Sequence, residues 1–379
     1  MKRGCSLDKH HKASAVKVKG ELLDDKKSAG ALAESAKILS KIKSRIFAKE
    51  HRPLLSPHHI LPYKERLDLA KKEVRKLIVG QDYTVDALLR AMLCDGHTYL
   101  IALPGLAKTV LIRTLAVVSG CQFNRIQFTV DLLPTDITGL TTFDRERNVF
   151  TVVKGPIFSN FVIADEINRA PPKTQSALLE AMQERQVTIG RDTFKLRPPF
   201  FVMATQNPIE SAGTYPLPEA QIDRFLFNVG MSYPSEGEEK SILHQNISIK
   251  KFEEFKIQPV LNAELILKMQ ELVKHIHTSD SIEKYIVRIV NATRYPDKFG
   301  LKLGHYIEYG GSPRASIGLF IGAKAQAFMQ GMSYVTPQHV KDVAFDVLRH
   351  RILLTYEAQA ENLTSDEIIA EILARVPVP

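Results

Sequence analysis

The sequence TYLIALPGLAKT, residues 98–109, is an apolar run that leads through a Pro- and Gly-containing turn into a helical pattern. A strand, a loop and a helix in this order form the context of a phosphate-binding loop, in which backbone N–H groups at the helix start point at phosphate oxygens. In this interpretation Lys108 neutralises the β and γ phosphates, and the hydroxyl of Thr109 is a ligand of Mg²⁺.

The loop departs from the G-x-x-x-x-G-K-[ST] form, because Ala102 and Ala107 stand where the two end glycines belong. Taken alone, the stretch is therefore compatible with a phosphate loop or with an ordinary strand-to-helix turn that exposes a lysine. The residues that we assign to nucleotide binding are Leu103, Pro104, Gly105, Leu106, Ala107, Lys108, Thr109 and Val110.

A second apolar segment, FVIADE at residues 161–166, ends in two adjacent acids. Successive side chains of a strand point to opposite sides. Asp165 can therefore face a Mg²⁺ site, while Glu166 holds and deprotonates an attacking water. Paired acids at a strand end are often merely solvated, but these two follow Lys108 after intervening strands and helices. The combination favours phosphate-bond hydrolysis.

A third predicted strand, residues 200–205, is followed by Gln206-Asn207-Pro208. Ligands of open parallel sheets collect at the carboxyl ends of the strands, so Asn207 should lie near the γ-phosphate or the water. An isolated Asn before Pro is otherwise only a turn former.

Short apolar runs alternate with helical periods from about residue 62 to residue 233, which predicts an α/β fold with a parallel sheet flanked by helices. Strands are predicted at residues 98–103, 123–129, 160–164, 200–205 and 225–229, and helices at residues 85–95, 108–118 and 173–185. Inserted hairpins are predicted at residues 141–154 and 187–196. After Pro234 the strand signals stop, and helical periods predict a small all-helical second domain.

The formal charge of +9 is concentrated at the start of the chain. Residues 1–60 contain 14 Lys+Arg and 6 Asp+Glu, which leaves 37 and 36 for the remainder. A neutral body argues against a phosphate-tracking groove, so nucleic acid is not an expected partner. The predicted domains are a basic flexible extension (1–60), an ATPase-type α/β domain (61–234) and a helical domain (235–379). Residues 31–49 could form a basic helix that is solvated, or one that binds a partner, an acidic lipid surface or nucleic acid.

Apolar runs are far shorter than the roughly 20 residues that span a bilayer, so no transmembrane segment is expected. The charged start lacks the apolar stretch of a secretory signal, which predicts a cytoplasmic protein. The three cysteines, Cys5, Cys94 and Cys121, form neither an even disulfide set nor a Cys-x-x-Cys pair.

The chain resembles the MoxR family of AAA+ ATPases. The resemblance rests on long strings: PGLAKT from residue 104, RIQFT from residue 125, ADEINRAPPKTQ from residue 164 and GTYPLPEAQ from residue 213. It implies a P-loop NTPase fold of the AAA+ type with a helical lid, and ATP and Mg²⁺ as cofactors. In the family, alanine is the usual residue at position 107, whereas Ala102 replaces a glycine.

The resemblance also implies roles for individual residues. Lys108 and Thr109 correspond to the phosphate loop, with Thr109 and Asp165 as metal ligands, and Glu166 to the residue that activates water. Two sensors and one finger complete the set of catalytic candidates: Asn207 as first sensor, Arg314 as second sensor in the lid, and Arg224 as the finger that reaches a neighbouring subunit's nucleotide, with Arg169 as a second candidate for the finger.

A finger that acts on a neighbour implies a homo-oligomer, in this family a hexameric ring. The family is similar to chaperones that activate a protein partner or load a cofactor into it, often a protein with a von Willebrand A-type domain. Two other functions stay open: a nucleic-acid-dependent motor, and a scaffold that binds ATP without hydrolysing it, which the alanine at position 102 permits. An ATPase assay with and without DNA separates the three.

Overall fold

Eleven strands and thirteen α-helices are present in the computed structural model, which describes residues 55–208, 213–245 and 252–379. The strands are β1 (Thr98–Ala102), β2 (Phe123–Gln127), β3 (Gly139–Asp144), β4 (Val149–Lys154), β5 (Phe161–Asp165), β6 (Gln186–Ile189), β7 (Asp192–Lys195), β8 (Phe201–Gln206), β9 (Phe227–Met231), β10 (Ile307–Tyr309) and β11 (Leu353–Leu354). The basic helix predicted at residues 31–49 lies outside the described residues.

The helices are distributed along the whole described part of the chain. They are α1 (Pro57–Arg75), α2 (Asp82–Leu93), α3 (Lys108–Val118), α4 (Pro134–Thr138), α5 (Pro172–Glu184), α6 (Glu219–Ile222), α7 (Glu236–Gln245), α8 (Ala263–Lys274), α9 (Asp280–Arg294), α10 (Pro313–Met329), α11 (Pro337–Leu348), α12 (Tyr356–Ala360) and α13 (Ser365–Arg375). Among the described residues, no helix combines the length and apolar content needed to cross a bilayer.

The central sheet has the strand order β2-β5-β8-β1-β9, and every neighbouring pair is parallel. The predicted α/β fold is therefore confirmed. The last strand begins at Phe227 rather than at residue 225. The reason is that the backbone N–H groups of Leu226 and Phe227 both donate to the carbonyl of His97, at 2.9 and 3.4 Å, which fixes where β9 joins β1.

Alternate residues of the strands enter two different hydrophobic cores, as the two-residue period of a strand requires. Leu100 and Ile163 lie in the larger core, while Tyr99 and Val162 lie in the other. Each fully buried side chain of this kind contributes about 1.5–3 kcal/mol relative to exposure. Burial on both faces explains why the strands read as continuous apolar runs.

Both predicted hairpins are confirmed. Strands β3 and β4 pair antiparallel, with Phe143 opposite Phe150 and their ring centroids 5.1 Å apart. Strands β6 and β7 form the second antiparallel pair. Phe143 is 45% exposed and Phe150 is 75% exposed, so the first hairpin presents an apolar surface to solvent.

The carboxyl-terminal part of the chain is mainly helical, as predicted. Helix α9 is capped by Ser279 and buries Ile282, Ile286 and Ile289 on one face. The structure corrects one detail, because the short strands β10 and β11 pair antiparallel within this region. Three and two residues offer too few alternations for a sequence pattern to reveal a strand.

The predicted domain boundaries stay predictions. Helix α1 begins at Pro57 and runs across the proposed boundary between residues 60 and 61, whereas helix α7 begins at Glu236, just after the second boundary.

Candidate active site

The segment between β1 and α3 forms a loop around the start of a helix. Its last residue, Ala107, has left-handed backbone with φ 54° and ψ 29°. An alanine in this conformation costs about 1 kcal/mol that glycine avoids. Gly105 also has a positive φ of 85°, with open space where a Cβ atom would point. The loop therefore exposes backbone to a ligand, and the first N–H groups of α3 have no partner within the helix.

A cavity of ≈ 820 Å³ adjoins this loop. The volume lies within the range of small-molecule sites, which is roughly 300–1,000 Å³. The loop residues Pro104 and Thr109 line one part of it. Mainly apolar side chains line the rest, among them Leu77, Ile78, Val79, Tyr233, Ile242, Leu243, Phe252 and Phe255. A polar end beside an apolar end suits a nucleotide, whose phosphates and base differ in the same way.

Asp165 is 5% exposed at the carboxyl end of β5. The hydroxyl of Thr205 donates to its Oδ1 at 2.6 Å, and the hydroxyl of Thr109 lies 3.5 Å from its Oδ2. Arg125 Nη2 donates to the same Oδ2 at 2.6 Å. A carboxylate beside a hydroxyl offers the hard oxygen ligands that Mg²⁺ prefers, so Asp165 and Thr109 fit this metal.

Glu166 takes a left-handed conformation with φ 57° and ψ 50° directly after β5. Its backbone N–H donates to Thr205 Oγ1 at 3.0 Å. Its Oε2 accepts from Gln127 Nε2 at 2.8 Å and lies 3.0 Å from Arg169 Nε. Backbone strain of about 1–3 kcal/mol persists only where the surroundings enforce it, and such residues concentrate at functional sites. Two donors thus fix the direction of this carboxylate.

The remaining strand ends complete the same edge of the sheet. Ala164 pairs with Ala204, and Ile101 pairs with Gln206, so the residues that follow β1, β5 and β8 are neighbours. Asn207, 3% exposed, comes directly after β8. The ammonium of Lys108 donates to the carbonyl of Ala102 at 3.2 Å. The structure thus brings Lys108, Thr109, Asp165, Glu166 and Asn207 together at the carboxyl edge.

The two predicted arginines lie elsewhere. Arg224 is exposed and precedes β9, whose first residue, Phe227, pairs with Thr98 at the start of β1. It therefore lies at the amino edge, separated from the phosphate loop by the length of β1, roughly 15 Å at about 3.3 Å per residue. Arg314 Nη1 contacts Asp223 Oδ2 at 3.4 Å and lines the same cleft as Arg224. Neither arginine is among the described residues that line the 820 Å³ cavity.

Three contributors to the carboxyl edge were not predicted as site residues: Arg125, Gln127 and Thr205. Arg125 and Gln127 occupy alternate positions of β2, and Gln127 pairs with Asp165 across the sheet. Polar residues at alternate positions near the end of a strand were a detectable signal. Thr205 gave none, because a threonine in a buried strand is ordinary.

A buried histidine supports the amino edge. His97 accepts a hydrogen bond at Nδ1 from the N–H of Val202, and Nε2 donates to the carbonyl of Met182 at 3.2 Å. Burial, together with the nearby Arg185 guanidinium, lowers the pKa of His97 to about 3. The imidazole is therefore neutral in the folded protein near pH 7.

Comparison with known proteins agrees with the fold. The model of the ATPase family associated with various cellular activities (AAA) matches residues 97–227, and that of the AAA lid domain matches residues 304–372. Chaperone MoxR1 of Mycobacterium tuberculosis is 45% identical over 314 residues, which cover 83% of this chain and 82% of the relative. Protein YeaC of Bacillus subtilis is 43% identical over 313 residues, which cover 83% of this chain and 95% of that relative.

A solved structure has the same fold. The crystal structure of a Cytophaga hutchinsonii protein superposes with a TM-score of 0.79 and 44% sequence identity, covering 84% of this chain and 97% of that one.

Proposed function

The chain belongs to the MoxR family of AAA+ ATPases, and on that premise we propose that it uses ATP hydrolysis in a ring of identical subunits to remodel a protein partner. The observation that carries the proposal is the separation of the candidate residues onto two edges of one sheet. The carboxyl edge has the phosphate loop and both acids, whereas the amino edge has Arg224 and Arg314.

At the carboxyl edge, Lys108 moves from the carbonyl of Ala102 to the β and γ phosphates of ATP. Asp165 and Thr109 would hold Mg²⁺, which would neutralise charge on the phosphates. Arg125, which is paired with Asp165, balances the charge of this buried carboxylate.

Glu166 accepts the proton of the attacking water, and Asn207 orients the water or the γ-phosphate. Gln127 and Arg169 direct the carboxylate of Glu166 toward the site through Oε2. The contact of Arg169 with Glu166 of its own chain favours Arg224 over Arg169 as the finger.

Arg224 stabilises the charge of the transferring phosphoryl group in the next subunit, because an exposed arginine at the opposite edge is available to a neighbour. Head-to-tail contacts form a closed ring when the rotation between subunits closes, and a hexamer is the proposed number. Arg314 lies in the same cleft as Arg224, so in its proposed role as second sensor it also acts on the nucleotide of the next subunit.

The proposed partner is a protein. Chaperone MoxR1 is a chaperone by name, and the exposed rings of Phe143 and Phe150 offer this chain an apolar contact surface. A partner with a von Willebrand A-type domain, matured or loaded with a cofactor, is the specific form of the proposal. The expected cytoplasmic location stays a prediction.

A steady-state ATPase assay on the wild type and Glu166→Gln, with and without DNA, tests this function. Wild type should turn over ATP without DNA, while Glu166→Gln should bind ATP with turnover reduced at least about 100-fold, because a positioned general base contributes about 10²–10⁴-fold. Turnover that requires DNA would favour the nucleic-acid motor. Tight ATP binding without turnover in the wild type would indicate a scaffold.

The partner is tested with the same variant. Glu166→Gln in ATP should retain a purified von Willebrand A-domain protein, whereas Lys108→Ala should not. Equal retention by both variants would contradict ATP-dependent binding.

A further inference from the structure

Arg351 lies just beyond α11, and its side chain is only 3% exposed. Each of its five N–H groups has an acceptor. Nε donates to Asp223 Oδ1 at 2.8 Å. Nη1 donates to the carbonyls of Leu226 at 3.1 Å and Val347 at 2.5 Å. Nη2 donates to the carbonyls of Asp223 at 3.3 Å and Phe225 at 2.7 Å. A buried guanidinium is stable only when its charge and its donors are satisfied in this way.

Three of those carbonyls belong to one short turn, residues 223–226, which contains Arg224. The neighbouring His350 also binds this turn, because its Nε2 donates to the carbonyl of Phe225 at 3.1 Å. The backbone that presents the exposed Arg224 side chain is therefore held from behind by two residues of the helical region.

Asp223 is shared between two arginines of the helical region. Its Oδ1 accepts from Arg351, while its Oδ2 lies 3.4 Å from Arg314 Nη1 and accepts from Ser312 Oγ at 3.2 Å. Arg351 and Arg314 follow the second predicted domain boundary, whereas Asp223 and Arg224 precede it. One carboxylate thus connects the finger candidate to the lid.

We propose that Arg351 is a positioning residue for Arg224: through Asp223 and the carbonyls of residues 223–226 it makes the reach of Arg224 into the adjacent subunit depend on the orientation of the lid. This inference rests on the proposed function, in which Arg224 acts on a neighbour's nucleotide. A displacement of about 1 Å at a reacting centre can cost roughly 100-fold in rate, so the rigidity of this turn controls turnover.

Arg351→Lys is the informative change. Lysine keeps the positive charge near Asp223, but its three donors cannot reproduce a planar fork of five. We expect kcat to fall roughly 10- to 100-fold, with the KM for ATP and the affinity for a fluorescent ADP analogue changed less than about twofold, because the carboxyl edge is untouched.

Arg349→Lys is the matched control. Arg349, two residues earlier, donates to Asp366 from Nε and Nη2 at 2.8 Å each and to the carbonyl of Asn228 at 2.6 Å. It loses a comparable set of bonds, but it does not bind the turn of residues 223–226. A similar fall in kcat for both variants would overturn the specific role of Arg351.

Mixing subunits distinguishes a role in trans from a local structural one. Arg351→Lys has an intact phosphate loop and acids, while Glu166→Gln has an intact Arg224. Mixed rings should therefore place some Arg351→Lys sites next to an intact finger, and ATPase activity should exceed the sum of the two proteins assayed alone. A destabilised subunit, or one defective at its own site, would not be rescued.

Arg224→Ala mixed with Glu166→Gln provides the reference. If that mixture gains no activity, the assignment of Arg224 as a finger that acts on the neighbouring subunit is wrong, and the proposed function fails at this point. If Arg224→Ala is rescued but Arg351→Lys is not, the proposed function stands and the inference about Arg351 is wrong. Thermal unfolding checks each variant, and Asp223→Asn replaces Arg351→Lys in the same assays, with the same expected rescue, if the latter does not fold.

Discussion

The two edges of the parallel sheet differ in what they offer a triphosphate. The carboxyl edge has one lysine, two acids and an amide on adjacent strand ends, with Thr205 linking Asp165 to Glu166. The amino edge has the exposed Arg224, and beside it Asp223, whose carboxylate contacts both the exposed Arg314 and the buried Arg351. The first edge is equipped to bind and activate, and the second to supply positive charge.

This difference indicates why a single subunit is an incomplete catalyst in the proposed mechanism. The strand that begins beside Arg224 ends beside the phosphate loop, so its length keeps the two sets of residues apart within one chain. A head-to-tail ring brings the amino edge of one subunit to the carboxyl edge of the next. Substitutions at the two edges should then produce different kinetic defects.

The largest expected effect is on binding at the carboxyl edge. Lys108→Ala should weaken ATP binding about 100-fold or more, because a charge-assisted contact to phosphate contributes up to about 3 kcal/mol. Isothermal titration calorimetry measures the affinity for ATP. Arg224→Ala at the other edge and Lys284→Ala on an exposed helix should retain the affinity. Equal losses at both edges would remove the distinction.

A smaller effect is expected from Thr205→Val, which keeps the shape of the side chain. The substitution leaves Asp165 Oδ1 without its donor and the N–H of Glu166 without its acceptor. Unmade buried bonds cost about 1–3 kcal/mol, so kcat should fall roughly tenfold, with a higher Mg²⁺ requirement. Thr188→Val at an exposed position of β6 is the control. An unchanged Mg²⁺ requirement would argue against the link between the acids.

The last effect, which is the smallest near neutral pH, concerns stability in acid and belongs to the amino edge. The pKa of His97 is about 3 when folded against 6.5 unfolded, so the unfolded state binds the extra proton between these values. The contribution of neutral His97 to the free energy of unfolding is fully present above about pH 6.5. It falls by up to about 1.4 kcal/mol per pH unit towards pH 3. Denaturant unfolding at several pH values should show a shallower decline for His97→Asn. Parallel declines would contradict the assignment.

The sequence by itself determined the parallel sheet, both hairpins and five residues of the carboxyl edge: Lys108, Thr109, Asp165, Glu166 and Asn207. Apolar runs ending in Asp165-Glu166 and in Asn207 are local signals, and the rule that parallel strands end at one edge turns local signals into a shared site. The phosphate loop is local as well, since Lys108 and Thr109 follow β1 within seven residues. The resemblance identified Arg224 and Arg314 as catalytic candidates, but it did not say at which edge of the sheet they lie.

Only the tertiary structure decided where those arginines lie and what holds them. Asp223 meets Arg351 across 128 residues of chain and Arg314 across 91, and no periodic pattern encodes contacts at such separations. The partners of the acids, Arg125 and Thr205, are likewise fixed by strand order rather than by spacing. Side chains acquire these neighbours only when packing brings the helical region against the sheet, because contacts between distant segments depend on the whole fold.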